Sequence, residues 1–323
     1  MITKEEVTLA YRLILGREPE NADVVENYSQ TVHSLKDLRS EFLKSPEFVS
    51  EMAEALQNPQ YVRQRHPFNL PKIPVEAHVS DDVLAQMFKR TADAWEHLGF
   101  TEPYWSVLTQ PQYTVERFAQ NSDQFYESGG PLFRTFLATL KRNGFNPAEL
   151  HTCLEVGCGV GRMTGYLAET FAKVIGTDVS GQHLVMAKNY LASQNINNVE
   201  LLHWQNLQQV QQLPHVDAIL SVITLQHNPP PIMAWLLAQL LGSLKPGGVA
   251  FIQIPTYRNG YMFEAERYLH TPQDNKIEMH FLPQAEVFQV IEAANCSCLE
   301  VREDGMVGDE DKMLSNSFLI QKK

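Results

Sequence analysis

Between Cys153 and Arg162 the chain reads Cys-Leu-Glu-Val-Gly-Cys-Gly-Val-Gly-Arg, a short apolar run that holds one acid and passes into three alternating glycines. An apolar run of this length closed by glycine predicts a buried strand followed by a tight turn. Glycine has no Cβ, so the turn can bend sharply and a ligand can approach its main chain. The helix expected next offers unpaired N–H groups at its start. Together these features predict a polar ligand seated on the turn.

Two kinds of nucleotide-binding turn begin this way. A dinucleotide fold carries glycines at the first, third and sixth positions of its motif. Here the sixth position is Arg162, and the glycines, Gly157, Gly159 and Gly161, fall at the first, third and fifth. Glu155 stands two residues before the first glycine. This arrangement resembles motif I of class I S-adenosylmethionine-dependent methyltransferases. A second apolar strand, 173–178, ends in Asp178, seventeen residues after Gly161. A carboxylate there can accept from both ribose hydroxyls; the other reading is a helix-capping Asp, a task for which Ser180 is better placed. The resemblance assigns Asp178 to the ribose and implies S-adenosyl-L-methionine as cofactor, with S-adenosyl-L-homocysteine as product. Glu155, Cys158 and Val179 join the same expected site, although small size explains Cys158 in the turn as well as ligand contact does.

The alternation continues downstream: a helix over 181–193, a strand over 199–203, a fourth strand over 216–222 and a fifth over 249–254. Strand, helix, strand at this rhythm predicts a parallel sheet with helices on both faces. A helix over 283–294 and strands near 298–301 and 317–320 complete a Rossmann-like, seven-stranded methyltransferase sheet of the α/β class. By the resemblance its last strand inserts antiparallel. Trp204-Gln205-Asn206-Leu207 follows the third strand where the family often has an aspartate for the adenine amino group. Gln205 or Asn206 takes that place here, and an amide can still accept from the amino group. The fourth strand runs through Ser221 and Val222 into Ile223-Thr224-Leu225-Gln226-His227, beside the expected methionine end of the cofactor. His227 is the candidate general base, against the reading of a helix-capping, packing histidine. Glu127 and Asp304 are the alternative bases. Leu244-Lys245-Pro246-Gly247-Gly248 matches the family's turn before the fifth strand, and a loop is expected over 255–261.

Upstream, Thr3-Lys4-Glu5-Glu6 is a capping box that starts a helix with Val7, Ala10, Tyr11, Ile14 and Leu15 on one stripe, ended by Gly16. Helices over 22–30, over 34–43 and after Ser45-Pro46 make residues 1–56 a small bundle. The strings Tyr11 to Pro19 and Ser45 to Phe48 resemble a short helical domain of unknown function in bacterial surface and glycan-related proteins. That implies a docking or self-association module; a packing appendage is the other reading. Pro59, Pro67, Pro71 and Pro74 mark 57–79 as an extended linker. Residues 80–149 read as a helical cap, opened by Ser80-Asp81-Asp82. The cap is rich in aromatic residues, with Tyr104, Trp105 and Tyr126, the last in an expected loop over 125–129, as candidates for an acceptor pocket. Tyr257, Arg258 and Tyr261 are added from the loop after the fifth strand. Residues 150–323 form the expected core.

With 323 residues, a formal charge of −12 and a pI near 5.4, the chain lacks the clustered Lys and Arg of a nucleic-acid surface. Arg63-Gln64-Arg65-His66 is the nearest basic patch. No apolar run reaches a membrane span, and Met1 to Leu15 is charged and amphipathic, unlike a signal peptide. Cys153, Cys158, Cys296 and Cys298 fit no zinc spacing and suggest reduced thiols in a cytoplasmic protein. The expected function is methyl transfer to a small-molecule or glycan-type acceptor at oxygen, with no metal. The rival readings are a cofactor-binding scaffold or sensor that has lost catalysis, and a nicotinamide dehydrogenase.

Overall fold

The computed structural model describes residues 2–50, 70–274, 276–308 and 313–323. They form two compact units, Met1–Pro67 and Phe68–Lys323.

In the first unit, α1 (Lys4–Ile14), α2 (Ala22–Thr31) and α3 (Leu35–Lys44) pack together. The capping box forms: Glu6 N–H donates to Thr3 Oγ1 at 3.2 Å, and Thr3 N–H donates to Glu6 Oε2 at 2.7 Å. Asn21 and Ser34 cap the next two helices through their side-chain oxygens. Val7, Tyr11, Leu38 and Phe42 are the centre of the core, with the Tyr11 and Phe42 rings edge to face at 4.8 Å. Arg17 reaches across to Glu47, donating to its Oε2 at 2.6 Å. That bond ties together the two motif strings that stand thirty residues apart in the sequence. Helical residues resume at 46–50; the rest of the expected bundle, 51–56, lies outside the described residues.

The second unit begins differently from the expected linker. Residues 57–69 lie outside the described part, but 70–79 are fastened to the sheet domain rather than free. Val75 bridges Phe263, Glu76 N–H donates to Phe263 O, Phe263 N–H donates to Pro74 O, each at 3.0 Å, and Ile73 and Ala77 are buried. Proline excludes helix here, and the extended backbone finds its partners in an opposing segment.

Among the described residues of this unit four α-helices precede the sheet: α4 (Asp81–Thr101), α5 (Val115–Phe118), α6 (Ser122–Glu127) and α7 (Gly129–Arg142). Ser80 makes no side-chain cap bond, so the acids Asp81 and Asp82 in the first turn are what favour this start. The expected loop over 125–129 is helical instead. Gly129 and Gly130 open α7, and a Cβ on Gly129 would stand 2.7 Å from Arg162 O, so these glycines permit close packing and not a turn.

The sheet domain then alternates β1 (Thr152–Val156), α8 (Thr164–Thr170), β2 (Lys173–Asp178), α9 (Gly181–Ser193), β3 (Val199–His203), α10 (Leu207–Gln211), β4 (Val216–Ser221), α11 (Pro230–Gly242), β5 (Leu244–Arg258), α12 (Ala265–His270), α13 (Gln284–Ala293), β6 (Cys296–Glu303) and β7 (Met313–Lys322). Strand order is β3-β2-β1-β4-β5-β7-β6, with β1 to β5 parallel and β7 antiparallel to both neighbours. One sheet face packs on α4, α11 and α13 through residues such as Met87, Leu154, Leu237 and Val287. The other packs on α7 and α8 through Phe136, Cys153, Leu167 and Phe251. The strand order reverses between β1 and β4, which opens a crevice at their carboxyl ends.

The fifth strand is longer than expected. Its register jumps from Val216↔Leu244 to Ala218↔Val249, so 245–248 bulge out as the predicted turn inside the strand, with Gly247 at φ +79°. At the far end Tyr257 and Arg258 are not in a loop but pair with Leu314 and Met313, because antiparallel β7 carries the ladder past the parallel part.

Candidate active site

Each glycine of the turn is left-handed, φ +71° at Gly157, +54° at Gly159 and +87° at Gly161. Gly157 and Cys158 donate to Thr177 O at 2.8 and 2.9 Å, pinning the turn to the end of β2. Asp178 clasps it from the other side: its Oδ2 accepts from Gly159 N–H and its Oδ1 from Ser180 N–H, both at 2.9 Å. Each carboxylate oxygen keeps a lone pair for a further donor. Ser180 caps α9 by accepting from His183 N–H.

Gly157, Cys158, Gly159 and Asp178 line one cleft. Glu155, Gly157, Cys158, Gly159, Asp178, Val179, Val222 and His227 all face it. Glu155 is buried and accepts the Thr164 hydroxyl at 2.6 Å; burial pushes its carboxyl up to about 7, against the lowering effect of that bond. Burial also pushes the Cys158 thiol well up, so it is a neutral packing group beside Gly176.

His227 donates Nδ1–H to Glu278 O at 2.8 Å, since a carbonyl can only accept, and that leaves the Nε2 lone pair free. Burial holds its pKa down to about 4, and the Trp95 ring lies 5.1 Å away.

Several sequence-derived site residues lie elsewhere. Gly161 does not line the cleft; a Cβ there would stand 3.4 Å from Ala187. Asn206 Oδ1 accepts from Gln209 N–H at 3.1 Å as the cap of α10, and Gln205 is exposed, its N–H donating to Gln209 Oε1. Leu207 and Ser221 are buried away from the cleft. None of the six acceptor candidates lines it either. Tyr104 stacks on Phe118 with centroids 3.3 Å apart, and Tyr126 stacks on Tyr190 at 3.5 Å. Trp105 is half-buried outside the cleft. Tyr257 donates to Pro71 O at 3.2 Å. Arg258 and Tyr261 line a separate hollow, where the Tyr261 hydroxyl meets His280 Nδ1 at 2.9 Å. Of the alternative bases, Glu127 is exposed at the end of α6 and Asp304 accepts from the Ser317 hydroxyl; neither reaches the cleft.

Other residues take their place. Phe88, Thr91 and Trp95 come from α4, Val107 covers Gly159, and Arg162, His183 and Trp204 complete the wall. Of the six buried side-chain polar atoms without a partner among the described residues, Thr91 Oγ1, Arg162 Nε, His183 Nδ1 and Trp204 Nε1 belong to cleft-lining residues, and Arg90 Nε and Ser221 Oγ do not. Unpaired buried polar atoms are costly, and their gathering round one cleft marks it as the seat of a polar ligand. Arg162 stood in the glycine motif and was legible; the others carry no local signal. Among the described residues no cluster of His, Cys, Asp or Glu could hold a metal ion, and no helix is long and apolar enough to cross a membrane.

A seven-stranded sheet of this order, with a glycine turn clasped by an acid from β2 and a second acid near the end of β1, is a fold shared with solved methyltransferases. Residues 154–250 match the model of a family described as a methyltransferase domain. Over 112 residues the chain is 33% identical to trans-aconitate 2-methyltransferase of Variovorax paradoxus (strain S110), covering 34% of this chain and 40% of that protein. It is 30% identical over 97 residues to protein-L-isoaspartate O-methyltransferase 2 of Nitrosospira multiformis, covering 30% of this chain and 44% of that one. The matched segments thus span about two fifths of these relatives' length. Among solved structures, magnesium protoporphyrin IX methyltransferase from Synechocystis PCC 6803 with bound S-adenosylhomocysteine has the same fold at 16% identity, TM-score 0.50, covering 72% of this chain and 98% of that one.

Proposed function

We propose that this protein transfers the methyl group of S-adenosylmethionine to an oxygen of a small-molecule acceptor, with a glycan hydroxyl the acceptor class of first choice. The observation that carries the reading is the pair of acids at the ends of neighbouring strands, Glu155 and Asp178, facing one cleft around a left-handed glycine turn. The O-methyltransferase named among the relatives supports oxygen as the acceptor atom. The glycan rests on the resemblance of the N-terminal bundle, which we read as a docking or self-association module.

S-adenosylmethionine supplies a methyl group already activated on a sulfonium. The protein's task is to hold, orient and exclude water. Asp178 would accept the ribose hydroxyls with its remaining lone pairs, Glu155 would take the amino group, and Arg162 would offer its unpaired Nε–H to the carboxylate. His227 Nε2 accepts the acceptor's O–H and so aims its oxygen. Once an acceptor hydroxyl is methylated, its proton would be strongly acidic. Even an imidazole held down to about 4 then takes the proton and passes it to water.

Two measurements test this. Titration calorimetry with S-adenosylmethionine, S-adenosylhomocysteine and NAD should give binding of the first two alone; silence toward both would remove the reading. Transfer of labelled methyl to a panel of glycans should fall about 100-fold in His227→Ala, a size typical of one acid–base group, with S-adenosylhomocysteine affinity retained. An inert wild type across all acceptor classes would favour the scaffold reading.

A further inference from the structure

Three non-glycine residues in the described chain have positive φ: Asn195 at 56°, Ile223 at 56° and Asn295 at 54°. The two asparagines directly follow the caps of α9 and α13, where an amide side chain tolerates the left-handed region. Ile223 has no such excuse. It is β-branched, more than a third exposed, and lines the cleft between Val222 and Thr224. Such a residue persists only where its surroundings over-determine it.

Two side chains restrain it: Thr224 donates its hydroxyl to Val222 O at 3.2 Å, across Ile223, and Gln253 holds Ile223 itself. Ile223 N–H donates to Gln253 Oε1 at 2.8 Å, and the same amide donates through Nε2 to Ser315 Oγ at 2.7 Å and to Gln226 Oε1 at 3.1 Å. Gln253 has no solvent exposure and stands in β5 between the buried Ile252 and Ile254, a central-strand position where burying an unpaired amide would be costly. Every donor it has is used, and the network reaches three elements. Thr224 locks the same turn, filling the space above Gly157, where a Cβ would stand 2.3 Å from its methyl group. Gln226 O accepts from His280 N–H at 2.8 Å, and Gln226 is the neighbour of His227.

We propose that Gln253 is a positioning residue: it holds Ile223 in the left-handed conformation, and thereby sets the cleft wall met by the methionine end of the cofactor and the placement of His227. This rests on the cofactor reading above. A purely structural amide and a positioning amide differ in one respect. If Gln253 acts by restraining Ile223, then a glycine at 223, which adopts positive φ without restraint, makes Gln253 dispensable.

The experiment is a double-mutant cycle on S-adenosylhomocysteine affinity, read by calorimetry. Gln253→Leu should weaken binding about tenfold in the wild-type background, the size of one buried hydrogen bond, and no more than about twofold in the Ile223→Gly background. Equal losses in both backgrounds, or no loss in the first, overturn the proposal. Should Gln253→Leu fail to fold, Ile223→Gly alone decides: relief of the strain raises Tm by about 3 °C, and a lowered Tm overturns the proposal. A wild type that does not bind S-adenosylhomocysteine refutes the cofactor reading instead, and the Tm comparison still reports on the strain.

Discussion

Asp178 has two tasks in one carboxylate, since it fastens Gly159 and Ser180 and presents its outer lone pairs to the cleft. Asp178→Ala therefore removes ligand contacts and loosens the turn that shapes the site. Two lost charge-assisted bonds predict about a 100-fold weaker S-adenosylhomocysteine affinity by calorimetry. Asp178→Asn should lose less, because it can still accept from Gly159. Glu155 makes a different prediction, through pH. Its carboxyl is pushed up to about 7 in the folded protein, above the ordinary carboxylate range, so the folded state holds this proton more tightly than the unfolded state. Its contribution is fully present at low pH and lost as pH rises through about 7, amounting to roughly 3 kcal/mol of lost stability once the group is ionised. Ligand binding has the opposite slope: an amino group prefers the ionised acid, so affinity should rise between pH 6 and pH 8. Glu155→Gln should flatten both the Tm profile and the affinity profile.

At the scale of elements, the strands and helices were legible because their signals are local. The helix over 181–193 and the strand over 199–203 have the bounds that apolar patterning suggests, and Gly157, Gly159 and Asp178 serve the turn through backbone chemistry contained in twenty-two residues. What the pattern could not convey is which face of a helix meets the cleft. Thr91 and Trp95 carry no local ligand signal, yet α4 brings both to the cleft. Two aromatic candidates have partners of their own: Tyr104 stacks on Phe118 and Tyr126 on Tyr190. Asn206 was claimed by the start of α10, a competing local bond that outweighs an inferred ligand contact. Glycine positions separate backbone need from packing need. At Gly247, φ is +79° and nothing lies within 4 Å of an added Cβ, so Gly247→Ala should cost only about 1 kcal/mol by denaturant unfolding. At Gly157 the same left-handed strain meets the Thr224 side chain as well, so Gly157→Ala should cost about 3 kcal/mol and abolish cofactor binding.

For the whole molecule, the two units each have a core of their own, one built on Val7, Tyr11 and Phe42 and one on the two faces of the sheet. A chain beginning at Phe68 should then unfold at the Tm of the sheet unit and bind S-adenosylhomocysteine within twofold of the full chain. A chain beginning at Ser80 should not. It lacks the segment that bridges Val75 to Phe263, exchanges two backbone hydrogen bonds with that strand partner, buries Ile73 and Ala77, and brings Glu76 Oε2 within 2.7 Å of Ala265 N–H at the start of α12. Losing about three hydrogen bonds and two buried apolar side chains should lower stability by roughly 4 to 6 kcal/mol. Denaturant unfolding of the two truncations separates the possibilities, because an ordinary linker between 57 and 79 would leave both equally stable. A large difference places the start of the sheet unit near residue 68, with the strap from 70 to 79 as its first structural element.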